Sequence, residues 1–171
     1  MSAPPPRRID RLLFGSGRSI SGTIYGTILA MSVIAATGAT GPAEPWRLAG
    51  FVASSAVVFW LAHVYASALD QSIQSGRRLD LGSLERVARH EAAIPLAAVP
   101  AIVALSLGAL GVLRESRSIW LAMGLGVATL GVQAWRYSQL ESLGTSKTIA
   151  VVASNVALGL AIVGLKAAIS H

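Results

Sequence analysis

Apolar residues fall into five long blocks along this chain, roughly Ile20–Ala39, Leu48–Leu69, Ala92–Leu113, Ile119–Trp135 and Thr148–Ile169. Each is longer than a helix in a soluble core needs. Each also approaches the roughly 20 residues with which a helix crosses about 30 Å of hydrocarbon. The fourth block is short unless it extends to Tyr137. Polar and turn-forming stretches separate the blocks: "TGATGPAEPWR" after the first, "RESR" after the third and "RYSQLESLGTSK" after the fourth. The pattern predicts an all-α membrane helix bundle of five transmembrane helices over residues 20–171, behind a basic N-terminal tail, residues 1–19.

The stretch between the second and third blocks, "DQSIQSGRRLDLGSLERVARHE" at 70–91, is the one sizeable part that does not span. Asp80 or Ser83 can cap a short helix there, and Leu84, Val87 and Ala88 give it an apolar stripe. Arg77, Arg78, Arg86 and Arg89 then face anionic headgroups. The expectation is a short cytoplasmic interfacial helix leading into span three.

Composition agrees with a membrane location. Hydrophobic residues make up 53% of the chain and charged residues 13%, against about a quarter charged in a typical soluble domain. Mean hydropathy is +0.61. The absence of cysteine excludes disulfides, thiolate metal sites and thiol chemistry. A net charge of +6 does not call for nucleic acid, because the basic residues flank the spans, where they set topology. Arg7, Arg8, Arg11, Arg18, Arg77, Arg78, Arg86, Arg89, Arg136 and Lys147 fall on one side; Arg47, Arg114, Arg117 and Lys166 fall on the other. This places the N-terminus in the cytoplasm and the C-terminus outside. Trp46 and Trp120 then lie at the outer boundary, Trp135 and Tyr137 at the inner one, and Lys166 is near enough to the outer end to snorkel. The first block reads as a retained span rather than a secretory signal, given its length and the tail before it. Arg7 and Arg8 lack the apolar residues of a twin-arginine export signal.

Apolar helices in lipid gain little by burying hydrophobic surface against each other, so small residues that allow close approach matter. Gly22, Gly26 and Ala30 form such a stripe in span one, Gly124 and Ala128 in span four, and Ala153, Ala157 and Ala161 in span five. They suit contacts within the bundle or a homo-oligomer interface. Pro95 and Pro100 predict kinks in span three, a feature common in membrane helices that in transporters also marks hinges and ion-binding breaks.

Polar groups inside lipid usually face the bundle interior. His63, Ser67, Asp70 and Gln74 share one helical stripe, with Trp60 a turn further in. His63 lies about 10 Å from Asp70 along that helix. Asn155 and Thr129 sit at a similar depth in spans five and four. His63, Asn155 and Thr129 are therefore expected to converge on one polar site open to the cytoplasm, with Asp70 at its mouth. Such a site suits either a proton relay or an interhelical hydrogen bond without transport.

"RHEAA" at 89–93 has the start of a zinc-protease motif, but Ile94 stands where its second histidine belongs. A metal site would have to combine His63 and His90 with Asp70 and Glu91, and nothing fixes that geometry. His90 and Glu91 are instead expected to anchor the inner end of span three. "FGSGRS" at 14–19 lacks the spacing and lysine of a phosphate-binding loop. No serine has a nucleophile-elbow context, and no span holds a carboxylate pair for hydrolysis. Neither a metal nor another cofactor is expected, and enzyme is the weakest class.

"VVFWLAHVYASAL" at 57–69 and "NVALGLAIVGLK" at 155–166 resemble small multi-pass integral membrane proteins of GC-rich bacteria, a group without an assigned function. The twelve arginines against two lysines also suit a GC-rich genome. The resemblance implies a bacterial cytoplasmic (inner) membrane location. The Arg-x-x-x-Phe-Ser-Asp signature of one bacterial potassium-channel family is absent, since Arg18 is followed by "SISGTIY". Two functions remain: a non-catalytic accessory or scaffold protein, or a small proton-linked transporter or ion channel using the polar site around His63. The expected partners are membrane lipids, with a homo-oligomer or another membrane protein.

Overall fold

In the computed structural model, residues 17–37, 44–76, 78 and 80–169 are described. Expectations resting on Arg7, Arg8, Arg11, Arg77, His171 and most of the N-terminal tail lie outside these residues. The order is α1 (Gly17–Thr37), α2 (Pro45–Ser75), α3 (Leu81–His90), α4 (Ala93–Leu96), α5 (Val99–Ala109), α6 (Glu115–Leu140) and α7 (Thr145–Ile169). Every element among the described residues is a helix. Four, namely α1, α2, α6 and α7, are long and apolar enough to cross a membrane, and five crossings result if the bent run from α3 to α5 counts as one.

Two helices are longer than hydropathy indicates. α2 has 31 residues, about 46 Å at 1.5 Å per residue, so it outruns a 30 Å hydrocarbon layer by several turns. It ends at Gly76, whose φ of 63° is the left-handed conformation that closes many helices. α6 takes in "ESR" at its start and "RYSQL" at its end and reaches 26 residues. Polar residues at its ends hide it from a hydropathy reading without weakening its backbone hydrogen bonds.

Span three is not one helix. The run Leu81–Leu96 meets α5 at 47°. The break has a local cause: Pro95 and Pro100 carry no N–H, and the Ala98 N–H turns back to the Pro95 carbonyl at 3.2 Å. α1 lies against this break. A Cβ on Gly22 would meet the Ala93 Cβ at 3.2 Å, and one on Gly26 would meet the Ala97 Cβ at 2.9 Å and collide with the Ile94 carbonyl oxygen. Only hydrogen fits there. The approach brings the Gly26 α-hydrogens onto a carbonyl, a weak but recurrent contact between helices.

α1 sits centrally, against α2, α4, α6 and α7, while α5 lies between α2 and α6. The core cluster joins Ala30, Met31 and Ile34 of α1, Leu48 and Val52 of α2, Ala104 and Leu105 of α5, and Ala122, Met123 and Leu130 of α6. α5 finishes with Gly108 against Ser118 of α6 and Pro45 of α2. The bundle thus has a basic end, carrying Arg86, Arg89, Arg136 and Lys147, and a far end around Pro45, Gly108 and Ser118.

Several contact expectations are corrected. A Cβ on Gly124 would meet nothing within 4 Å, and Ala128 is exposed; the glycines of α6 that meet neighbours are Gly126, against Met31, and Gly131, against Val156. A two-residue shift along a helix turns a position by about 200°, so Gly124 and Ala128 lie on the outward face, away from the contacts within the bundle. Ala153, Ala157 and Ala161 lie on the exposed face of α7, and α7 meets α6 through Gly159 instead. Lys166 is buried, only 7% exposed, rather than extended to the surface.

Candidate functional site: a polar groove between α2 and α3

The site begins with the cap of α3. The Asp80 carboxylate accepts the Ser83 backbone N–H at 2.8 Å, and the Ser83 hydroxyl oxygen faces the Asp80 N–H at 3.3 Å, a reciprocal capping box. Both residues named from sequence take part. The hydrogen bonds from Ser83 hold the Asp80 carboxyl below its ordinary value of 3.8. Arg89 pairs with Glu85 one turn away, and the Arg86 Nε donates to the Gly82 carbonyl at 3.2 Å.

The apolar stripe of α3 turns toward the protein. Val87 is buried against Val64 and Ala68 of α2, with Trp60, Leu84 and Ala88 around them. The Trp60 indole N–H donates to the Ala88 carbonyl at 3.2 Å. Leu81, 85% exposed, remains outside this contact. α3 is thus fastened to α2 by a small core of its own, and that fixes where its polar C-terminus lies.

Glu91, the residue closing α3, reaches His63. Its Oε2 stands 3.5 Å from the His63 Nε2, and its Oε1 stands 3.8 Å from the His90 Nδ1. The His63 ring also lies 6.1 Å from that of Tyr25 in α1, tilted by 34°. His63 is 46% exposed and Glu91 20% exposed, so the pair is open on the histidine side and not sealed in the bundle. Beyond Glu91 runs an open groove of about 410 Å³ lined by Ser67, Asp70, Gln74, Arg86 and His90, among others. Asp70 accepts a hydrogen bond from Gln74 at 2.7 Å.

Three members of the expected stripe, Ser67, Asp70 and Gln74, line one groove, and His63 joins it through Glu91. Thr129 and Asn155 do not contribute bonds to it. The Thr129 hydroxyl donates to the Leu125 carbonyl at 2.8 Å, and the Asn155 amide donates to the Val151 carbonyl at 3.0 Å. Each is satisfied one turn back on its own helix, where a short polar side chain in an apolar setting finds its nearest acceptor. α7, which carries Asn155, lies against α6 and α1, and α2 lies against α1, α3, α4 and α5 and only lightly against α6. The partner of His63 is a carboxylate placed by the crossing of α3 over α2. The sequence grouped His63 with Glu91 only as members of a metal site whose geometry nothing fixed.

Among the described residues no three His, Asp or Glu side chains are placed to hold a metal ion. The groove instead offers carboxylates that accept hydrogen bonds, a guanidinium that donates them, and imidazoles that do either. Comparison with protein-family models, curated proteins and solved structures finds no match.

Proposed function

We propose that this chain is a multi-pass protein of the bacterial cytoplasmic membrane, N-terminus inside, acting as a non-catalytic accessory or scaffold component of a membrane assembly. The orientation draws on the excess of basic residues at one end. Five crossings fit the path of α5, which finishes beside Pro45 at the far end instead of returning to the basic end.

One observation carries the accessory reading. The core between α1, α2, α5 and α6 is mainly apolar, with Ile34, Leu105, Ala122, Met123 and Leu130 at 0% exposure, and the hydroxyls of the buried Thr27, Ser118 and Ser138 each donate to a carbonyl of their own helix. A core of that kind offers no chain of polar groups for an ion or proton to follow. Outward, α2 presents Phe51, Val58, Leu61 and Tyr65, and α7 presents the small residues Ala153, Ala157 and Ala161. These faces suit lipid and partner helices.

A second reading, a small proton-linked transporter or channel, draws on the His63–Glu91 contact, which gives the intramembrane histidine a carboxylate neighbour. Proton and monovalent-cation flux in liposomes, measured beside a folded His63→Ala variant, separates the two. Flux dependent on His63 would establish the transporter and overturn the accessory reading. Background flux in both proteins, with a stable membrane partner or homo-oligomer co-purifying, is the expected result.

A further inference from the structure

We infer that the groove between α2 and α3 binds a zwitterionic aminophospholipid headgroup, its ammonium held by Asp70 and its phosphate by Arg86, with Glu91 as a second carboxylate of the lining. The inference uses the membrane reading and is independent of the accessory role.

Position is the first argument. With Trp46 at the outer boundary, about 30 Å of hydrocarbon takes α2 to the neighbourhood of Ser67. The residues of α2 that line the groove, Ser67 to Gln74, therefore stand at headgroup depth on the basic side. α3 lies across α2 at the same depth, fastened by Val87 and the Trp60–Ala88 hydrogen bond.

Charge is the second. A helix that only attracts an anionic surface needs arginines alone. Here one groove carries both signs: the carboxylates of Asp70 and Glu91 and the guanidinium of Arg86, with Ser67, Gln74 and His90 between them. Carboxylates accept hydrogen bonds and donate none, and a primary ammonium supplies three N–H donors. A guanidinium matches phosphate oxygens in paired hydrogen bonds. A ligand joining the two groups satisfies both, whereas a purely anionic headgroup would meet two carboxylates. The volume, about 410 Å³, lies within the range of small-ligand sites, roughly 300–1,000 Å³.

The test is equilibrium binding of short-chain lipids to the purified full-length protein in maltoside micelles. Dihexanoyl phosphatidylethanolamine is compared with the corresponding phosphatidylcholine and phosphatidylglycerol, and with soluble glycerophosphoethanolamine. Phosphatidylethanolamine should bind about tenfold more tightly than either other lipid, the scale of one charge-assisted hydrogen bond. Asp70→Asn should remove that preference and Glu91→Gln reduce it, while phosphatidylglycerol binds each variant at least as tightly as the unaltered protein because a repelling carboxylate is gone, which also shows that the variants are folded. Arg86→Gln should weaken both lipids. Phosphatidylglycerol binding as well as phosphatidylethanolamine, or a preference that survives Asp70→Asn/Glu91→Gln together, overturns the inference. Glycerophosphoethanolamine binding as tightly as the lipid overturns the membrane source and leaves a soluble ligand. Retention of the protein in carbonate-washed liposomes reports the membrane reading separately, so its failure is distinguishable from failure of the headgroup site.

Discussion

At the far end of the bundle, helices meet through atoms that have no room to move: Gly108 against Ser118 and Pro45, and Leu48, Leu105 and Met123 closed around Ile34. At the basic end, α3 rests on α2 through a three-residue core, and beside it lies a groove wide enough to admit water. The same chain uses two kinds of adhesion. Between apolar helices in lipid, burial contributes little, and shape complementarity with close backbone approach supplies the attraction. At the basic end a small apolar core and the Trp60–Ala88 hydrogen bond hold α3 on α2, and the cap and charged contacts around them are each weak because they are exposed. The first kind makes a rigid partition and the second an adaptable surface. The break at 97–98 is where they join.

The largest effect should come from testing that junction. Gly26→Ala drives a methyl group into the Ile94 carbonyl oxygen, and backbone on both sides leaves nothing flexible to yield. A loss of about 3 kcal/mol is expected, at the upper end for overpacking, read from unfolding in detergent. Gly124→Ala, with open space around it, should not lower the midpoint and should raise it slightly through helix propensity. Equal stability of the two variants would mean that α1 does not touch the break.

Gly126→Ala should cost less, about 1 kcal/mol. Its new methyl would lie 2.5 Å from the Met31 sulfur, but a thioether on an unbranched chain swings aside more easily than a carbonyl. Combining it with Met31→Ala should recover part of the loss, a coupling that a double-mutant cycle measures. Additive losses would place the two residues apart.

These positions also show what was legible in the sequence. Five apolar blocks gave the helices, because length and composition decide whether a segment can cross lipid. Pro95 and Pro100 gave the bend, and Asp80 and Ser83 gave the start of α3, because a cap is a local matter. Which face of α6 meets α1 was not legible: Gly124/Ala128 and Gly126 lie on different sides of one helix, and only the partner decides between them. Nor was the partner of His63. Depth along the spans suggested Thr129 and Asn155, but equal depth does not make neighbours, and both satisfy their polar groups on their own backbones. Glu91 reaches His63 through the crossing of α3 over α2, set one turn earlier on each helix by Val87 and Trp60, whose contacts join residues far apart in sequence.

Asp80→Ala tests the solvent-held end and should be local. Hydrogen exchange of the α3 amides should quicken several-fold, with α1, α5 and α6 unaffected. The same loosening should follow acidification. Hydrogen bonds from Ser83 lower the Asp80 carboxyl in the folded state, so its contribution is complete above the ordinary value of 3.8 and disappears as pH falls through the lower folded value. In Asp80→Asn the dependence on pH should be absent. A global loss of protection in either variant would mean that α3 belongs to the rigid part.

The smallest effect is expected from His63. Its contact with Glu91 is 3.5 Å long, and the two side chains are 46% and 20% exposed. An ion pair so open to solvent is worth less than about 1 kcal/mol, and the ring contact with Tyr25 is tilted and distant. His63→Ala should therefore shift unfolding by no more than about 0.5 kcal/mol. The variant discriminates because the alternative is large. Had the pair been sealed from water, removing one partner would strand the other and cost about 3 kcal/mol or more. A loss of that size would extend the dry interior to the level of Glu91 and erase the contrast between the two ends. A small loss keeps His63 at the open edge of the groove beside Glu91, apart from the packed core that carries the fold.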